Sequence, residues 1–402
     1  MFRWIAICLA LVVASCATSP APHERPPLIL VSIDGFRPDY LDQGLTPNLS
    51  RMATEGVRGV LRPSFPTKTF PNHYTLVTGL RPDRHGIVDN TFEDPAIPGE
   101  TFRMANRQAV GDRRWWDQGE PIWVTAERAG LRTAPVYWPG SEAAIRGVRP
   151  TYWRPFDMAR PNAGRVDDLL ALLDLPPDRR PRFLTLYFDT VDTAGHRFGP
   201  RGAETFAAVA EADAQIGRLV EGLKARGRDA NIIVVSDHGM AALADDRRVY
   251  IDDLLPKDAY RSLAGGAFMT IYPAPGRVAE VEAALLKPHA RMACWRRGEM
   301  PARFHYGRNP RVAPIFCLPE TGWSLTTRAY KPSWPEGGNH GFDPDSPEMA
   351  AVFLAHGPSL QRSVVLPPFD NVSVYLLLAR LLGIRPAPND GNMSDIESAL
   401  TQ

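Results

Sequence analysis

Four short apolar runs stop abruptly at polar or turn residues: Leu28–Ile33 before Asp34-Gly35, Phe183–Phe188 before Asp189, Ile232–Val235 before Ser236-Asp237-His238-Gly239, and Ala351–Ala355 before His356-Gly357. Runs of this length without alternation read as strands buried on both faces, the pattern of a parallel sheet. Helical periodicity lies between them. Glu204–Arg226 carries Phe206, Val209, Ala210, Ile216, Leu219, Val220 and Leu223 on one face and stops at Gly227, a C-cap residue. Asn371–Leu382 is similar and ends at Gly383. Strand and helix in alternation predict an α/β fold with a doubly wound, mostly parallel sheet and helices on both faces. Ligands in such a fold sit beyond the carboxyl ends of the strands, where these polar residues fall. From Ala241 to His340 the pattern dissolves into mixed Pro, Arg and Trp. That stretch is expected to be a cap inserted into a main domain made of residues 27–240 and 341–402.

The amino terminus follows a different logic. Arg3 precedes an apolar run from Trp4 to Ala14, too short to span a bilayer and suited to the core of a secretory signal. Val13-Ala14-Ser15-Cys16 resembles the lipobox of bacterial lipoproteins, which implies a signal over residues 1–15, a lipid on Cys16 and a Pro-rich linker over 16–26. The expected location is the periplasm or outer membrane of a Gram-negative-type bacterium, with the membrane contacted through that lipid alone. Cys294 and Cys317 are then the two remaining thiols, and in an oxidising compartment an even pair predicts a disulfide.

Composition narrows the function. The 402 residues carry 46 basic and 45 acidic side chains, a net charge of +1, so a broad surface for a nucleic-acid polymer is not expected. The 39 Pro and 32 Gly indicate a loop-rich globular chain.

Candidate metal ligands gather at four places: Asp34; Asp192 and His196; Asp237 and His238; and His340 in Gly338-Asn339-His340-Gly341. Three Asp and three His form a mixed oxygen and nitrogen set that suits zinc better than magnesium or calcium. Pro66-Thr67-Lys68-Thr69-Phe70-Pro71 adds hydroxyls, and a metal can activate such a hydroxyl by lowering its pKa. Thr67 reads as a helix cap, and His73 and His85 as structural residues of the same turn. His356 is assigned no role.

The run from Ser64 to Asn90, SFPTKTFPNHYTLVTGLRPDRHGIVDN, closely resembles the nucleophile region of the nucleotide pyrophosphatase/phosphodiesterase family of the alkaline phosphatase superfamily. Ser32 to Arg37, Trp138-Pro139-Gly140-Ser141-Glu142, Asp192 to Pro200, Ser236 to Met240 and Gly338 to Gly341 extend the resemblance over most of the chain. It implies an alkaline phosphatase-like fold, two zinc ions, and hydrolysis of nucleotide diester and pyrophosphate bonds to nucleoside 5′-monophosphates. Thr69 would be the covalent nucleophile, sharing one zinc with Asp34, Asp237 and His238, while Asp192, His196 and His340 hold the other. Asn90 would donate to a phosphate oxygen, and Phe70 and Tyr187 would sandwich the base. One departure is Thr190-Val191 before Asp192, where family members often carry Glu-Pro. Rival readings are a phosphomonoesterase or a lysophospholipid or glycerophosphocholine diesterase on the same fold. From another class, a non-catalytic surface lipoprotein that binds metal or nucleotide would have little reason to keep every one of these residues.

Overall fold

The computed structural model describes residues 25–330, 334 and 336–401. The expected signal, Cys16 and most of the linker lie outside these residues. No helix among the described residues is long and apolar enough to cross a membrane.

An eight-stranded sheet organises the chain. Its strands, labelled in chain order, are β1 (Leu28–Ile33), β2 (Val57–Arg62), β3 (Thr133–Pro135), β4 (Phe183–Phe188), β5 (Asn231–Val235), β6 (Ala351–His356), β7 (Val364–Val365) and β8 (Phe369–Asp370). The order across the sheet is β7-β2-β6-β5-β1-β4-β3, with β8 also paired to β2. β1 lies parallel between β5 and β4, Leu30 facing Ile233 on one side and Thr185 on the other. The fold is therefore the expected alkaline phosphatase-like α/β architecture, with one difference. β6 runs antiparallel to both neighbours, against every other strand of the sheet. Its end consequently lies at the opposite edge from the ends of β1 and β5, and His356 pairs in register with Ile232 at the start of β5.

Burial on both faces explains the unbroken apolar runs. Ile29, Val31, Leu184, Leu186, Ile232 and Val234 pack into one core, against helices α1 (Pro47–Glu55), α3 (Asn162–Leu173) and α5 (Ala203–Ala225). Leu28, Leu30, Phe183, Ile233, Val235 and Phe353 point into the other, with α2 (Thr69–Thr78), α6 (Val374–Leu382) and the tryptophans Trp115, Trp116 and Trp123. Each fully buried aliphatic side chain of this kind contributes about 1.5–3 kcal/mol of transfer free energy.

Residues 241–340 do contain regular structure. Tyr260–Arg261, Met269–Pro273, Ile315–Pro319 and Met292–Arg296 form a four-stranded antiparallel sheet in that spatial order. Ile251, Leu255, Ile271, Val281, Leu285 and Leu325 give it a small core of its own. Phe268, Phe304, Tyr306 and Phe316 join the large core of the main sheet instead, so the region is packed down rather than hinged. Cys294 and Cys317 sit directly opposite each other in this sheet and are disulfide bonded.

His85 is buried between the Thr75 hydroxyl and the Ile87 amide, 3.0 and 3.1 Å from its ring nitrogens. Burial pulls its pKa from 6.5 down to about 3. A neutral buried histidine stabilises the fold fully above the unfolded value and loses that contribution as pH falls toward the folded one. The expected result is a loss of stability between pH 6.5 and 3 that is smaller in His85→Gln, read by denaturant unfolding at a series of pH values.

Candidate active site

Three neighbouring parallel strands deliver the polar residues. Asp34 follows β1, Asp237 and His238 follow β5, and β4 leads into α4 (Thr190–Phe198), which carries Asp192 and His196 one turn apart. Gly35 allows the first of these loops to meet α4. Its φ is +70°, and a Cβ there would lie 3.0 Å from the Asp192 Cα. His340 arrives on the loop after Gly338–Asn339, and a Cβ at Gly338 would lie 2.6 Å from the Gly195 carbonyl oxygen. The sequence positions are distant, and the strand ends bring them together.

Within this pocket Thr69 Oγ1 lies 3.4 Å from His238 Nε2, which is 3.4 Å from Asp34 Oδ1 and 2.9 Å from Asp237 Oδ2. On the other side His340 Nε2 lies 3.1 Å from His196 Nε2 and 3.6 Å from Asp192 Oδ1, and His196 Nε2 is 3.5 Å from Asp192 Oδ2. The two groups touch where the His238 and His340 rings stack at 3.5 Å. Ligand atoms of Asp192, His238 and His340 also fall within 4.8 Å of one another, as do those of Asp34, His73 and Asp237. His73 is a poor ligand despite that proximity. One ring nitrogen meets the Thr69 carbonyl and the other the Ser32 hydroxyl, both at 2.8 Å.

The residues present fit metal ions on two grounds. His196, His238 and His340 each place Nδ1 2.8–2.9 Å from a backbone carbonyl, of Gly338, Gly239 and Thr67 respectively. A proton held on Nδ1 leaves the Nε2 lone pair of all three free for coordination. In addition, the buried oxygens Asp34 Oδ1, Asp192 Oδ1 and Asp237 Oδ2 have no hydrogen-bond partner. Buried carboxylate oxygens without donors are costly, and a divalent cation meets that cost. The electrostatics agree. Burial, then the charges of Asp237 and Asp192, push Asp34 well above the usual carboxylate range. Burial acts the same way on Asp237, but His238 and His73 outweigh it and hold that carboxyl low. Burial drives His340 well below the usual imidazole range, helped by the nearby His238, Lys68 and His196.

Thr69 is the first residue of α2, and its turn is clamped by a residue the sequence reading passed over. Asn72 Nδ2 donates to the carbonyls of Ser64, Pro66 and Lys68 at 3.0–3.1 Å, and its Oδ1 accepts from the Ser64 amide at 2.8 Å. Thr67 is not the helix cap that its position suggested. Its hydroxyl donates to the Phe342 carbonyl at 3.0 Å and accepts from the Gly341 amide at 2.9 Å, tying the Thr69 turn to the His340 loop. Asn90 Oδ1 accepts from the Phe70 amide at 2.9 Å, which leaves its Nδ2 hydrogens available to a ligand.

Thr69, Phe70 and Tyr187 all line one cleft of about 390 Å³, together with Trp138, Phe156, Asp34 and Asp192. Phe70 rests on Phe102 and Trp116, ring centroids 5.9 and 6.0 Å away. Tyr187 also donates its hydroxyl to Asp34 Oδ2 at 2.6 Å, a role not foreseen from its aromatic character. Burial and the Asp34 charge keep that phenol protonated. Arg165, likewise unforeseen, is buried behind the cleft. Its guanidinium donates to the Tyr187 carbonyl and to Asp189 at 2.9 and 2.7 Å, pinning the link between β4 and α4.

A match to the type I phosphodiesterase / nucleotide pyrophosphatase family model spans residues 28–343, and so takes in each of these groups. The chain belongs to this family. Among phosphodiesterases it is similar to an uncharacterized pyrophosphatase/phosphodiesterase of Schizosaccharomyces pombe, 39% identical over 90% of this chain and 78% of that one. Ectonucleotide pyrophosphatase/phosphodiesterase family member 3 of Rattus norvegicus is 37% identical over 97% of this chain. The chain spans 46% of the length of that larger relative. Of solved structures, murine ectonucleotide pyrophosphatase/phosphodiesterase 5 superposes with a TM-score of 0.89 at 32% identity, covering 93% of this chain and all of that one. An inactive Thr-to-Ala variant of the same murine protein, in complex with AMP, superposes equally well at 31% identity over 94% of this chain.

Replacing Tyr187 by Phe removes one donor from Asp34 while keeping the ring. The expected outcome is a loss of about tenfold or more in metal affinity, the size typical of a lost partner behind a ligand, measured by chelator competition. Arg165→Met is expected to cost about 3 kcal/mol of stability by stranding Asp189 and the Tyr187 carbonyl, measured by denaturant unfolding.

Proposed function

We propose that this protein hydrolyses nucleotide diester and pyrophosphate bonds to nucleoside 5′-monophosphates, using Thr69 as a covalent nucleophile and two zinc ions. The observation that carries the reading is the placement of the Thr69 hydroxyl, 3.4 Å from His238 Nε2 at the mouth of an aromatic cleft. When bound, the cations would supply Lewis-acid charge to the threonine oxygen, the phosphate and the leaving oxygen. Asp34, Asp237 and His238 would hold one ion beside Thr69, and Asp192, His196 and His340 the other.

The remaining roles belong to the chain itself. Thr69 forms the new bond to phosphorus as the leaving group departs on the far side, and water then cleaves the phosphothreonine ester. Two inversions retain configuration at phosphorus. Asn90 donates an uncharged amide to a non-bridging oxygen, which suits the single negative charge of a diester. Lys68 lies over the Phe268 ring, 5.4 Å from its centroid, and is not among the residues that line the cleft. Phe70 and Tyr187 offer aromatic surface to a base, and stacking of this kind is worth about 1–3 kcal/mol and is tolerant of base identity. Export with a lipid on Cys16 belongs to the same proposal and is supported by the pattern of residues 1–16.

The test is product analysis with ATP and with the p-nitrophenyl ester of thymidine 5′-monophosphate. Wild type is expected to release AMP and thymidine monophosphate. Thr69→Ala is expected to lose activity by on the order of 10³-fold, as removal of a covalent nucleophile does, and chelation should abolish it in wild type. Unchanged turnover in Thr69→Ala would remove the covalent mechanism. Faster turnover of p-nitrophenyl phosphate than of the diester would make the protein a monoesterase.

A further inference from the structure

A second cavity, of about 590 Å³, reaches the polar cluster at His196, which does not line the Phe70 and Tyr187 cleft. α4 borders both: Asp192 and Thr193 line the cleft, and His196, one turn later and 3.5 Å from Asp192, lines the cavity together with Asn339. A path of contacts leads to it from the nucleophile, from Thr69 to His238, across the stacked His340 ring, and then to His196. In-line displacement puts the leaving group opposite the attacking oxygen. The cavity adjoins His196, in the ligand group away from Thr69, and so the group on which the leaving oxygen would sit.

The linings of the two spaces differ in charge. Asp34, Glu142, Asp189 and Asp192 line the cleft against a single cation, Arg107, an excess of negative charge that disfavours additional phosphate. Among the described residues no Asp, Glu or Lys lines the cavity, whereas Arg248 does, with hydroxyls from Ser262, Ser324 and Thr326. Arg248 is mostly covered, its side chain 17% exposed, and its ion-pair partner Asp245 is 65% exposed and so a weak, solvent-screened competitor. A guanidinium among hydroxyls is a recognition surface for phosphate oxygens.

We propose that this cavity is a leaving-group subsite for a phosphate-bearing fragment, pyrophosphate or the distal half of a dinucleoside polyphosphate, with Arg248 as its specificity-determining cation. The proposal rests on the catalytic reading above and adds that the uncharged nucleoside and the charged leaving fragment occupy different spaces beside the ligand cluster. The experiment compares kcat/KM for ATP, whose leaving group is pyrophosphate, with that for the p-nitrophenyl ester of thymidine monophosphate, whose leaving group carries no phosphate. Arg248→Ala is expected to lower the ATP value about tenfold more than the ester value, the size of one lost charge-assisted hydrogen bond. Thr327→Trp, which narrows the same cavity and keeps the arginine, should shift the ratio in the same direction and carries the test if Arg248→Ala does not fold. An unchanged ratio in a folded variant overturns the subsite and leaves the catalytic reading standing. Failure of wild type to cleave either substrate defeats the catalytic reading instead.

Discussion

Three carboxylates, those of Asp34 and Asp237 buried and that of Asp192 mostly covered, crowded with three imidazoles are the constraint around which the rest of the molecule is arranged. Two like charges about 4 Å apart repel by about 4 kcal/mol at an effective dielectric of 20, and Asp34 feels both Asp237 and Asp192. No flexible loop would hold such groups together. The fold does so by ending adjacent strands β5 and β1 at the same level and starting α4 from the next strand, β4. The hydrophobic burial of those three strands on both faces is what opposes the repulsion until cations offset it.

The imidazoles show the same division of labour between scaffold and site. Each Nδ1 is tied to a carbonyl whose position is set elsewhere: Gly338 on the short strand paired to Ala241–Ala242, Gly239 after β5, and Thr67 in the turn that carries Thr69. Thr67 is the joint of this arrangement. It orients His340 through its carbonyl and anchors the following Gly341 through its hydroxyl, while Asn72 holds the same turn from the helix side. Thr69 and the candidate ligands are therefore tied into one hydrogen-bonded unit, the kind of preorganisation that in-line chemistry would require.

Much of this was legible before any coordinates. The apolar runs marked β1, β4 and β5 to within a residue, because strands buried on both faces are mostly apolar throughout and carry few polar side chains. The direction of β6 was not legible. Ala351–Ala355 is as buried as the parallel strands β1, β4 and β5, and burial on both faces imposes the same composition whichever way a strand runs. The same ambiguity put His356 at a strand end while hiding that it was the wrong end. In residues 241–340, strands of two to five residues bury one side in a small core, too little to leave a periodic trace.

The sequence by itself determined the inventory: which strands are central, which Asp, His and Thr residues stand at their ends, and which family the ordered motifs resemble. Local composition suffices there, because a turn residue after a buried strand is a local fact. Tertiary structure alone decided that Tyr187 serves Asp34, that Arg165 braces the β4 to α4 link, and that Thr67 binds across to Phe342 rather than capping its helix. These are hydrogen bonds and ion pairs between positions up to hundreds of residues apart. Nothing in a residue's neighbours along the chain records a partner that only folding brings within 3 Å.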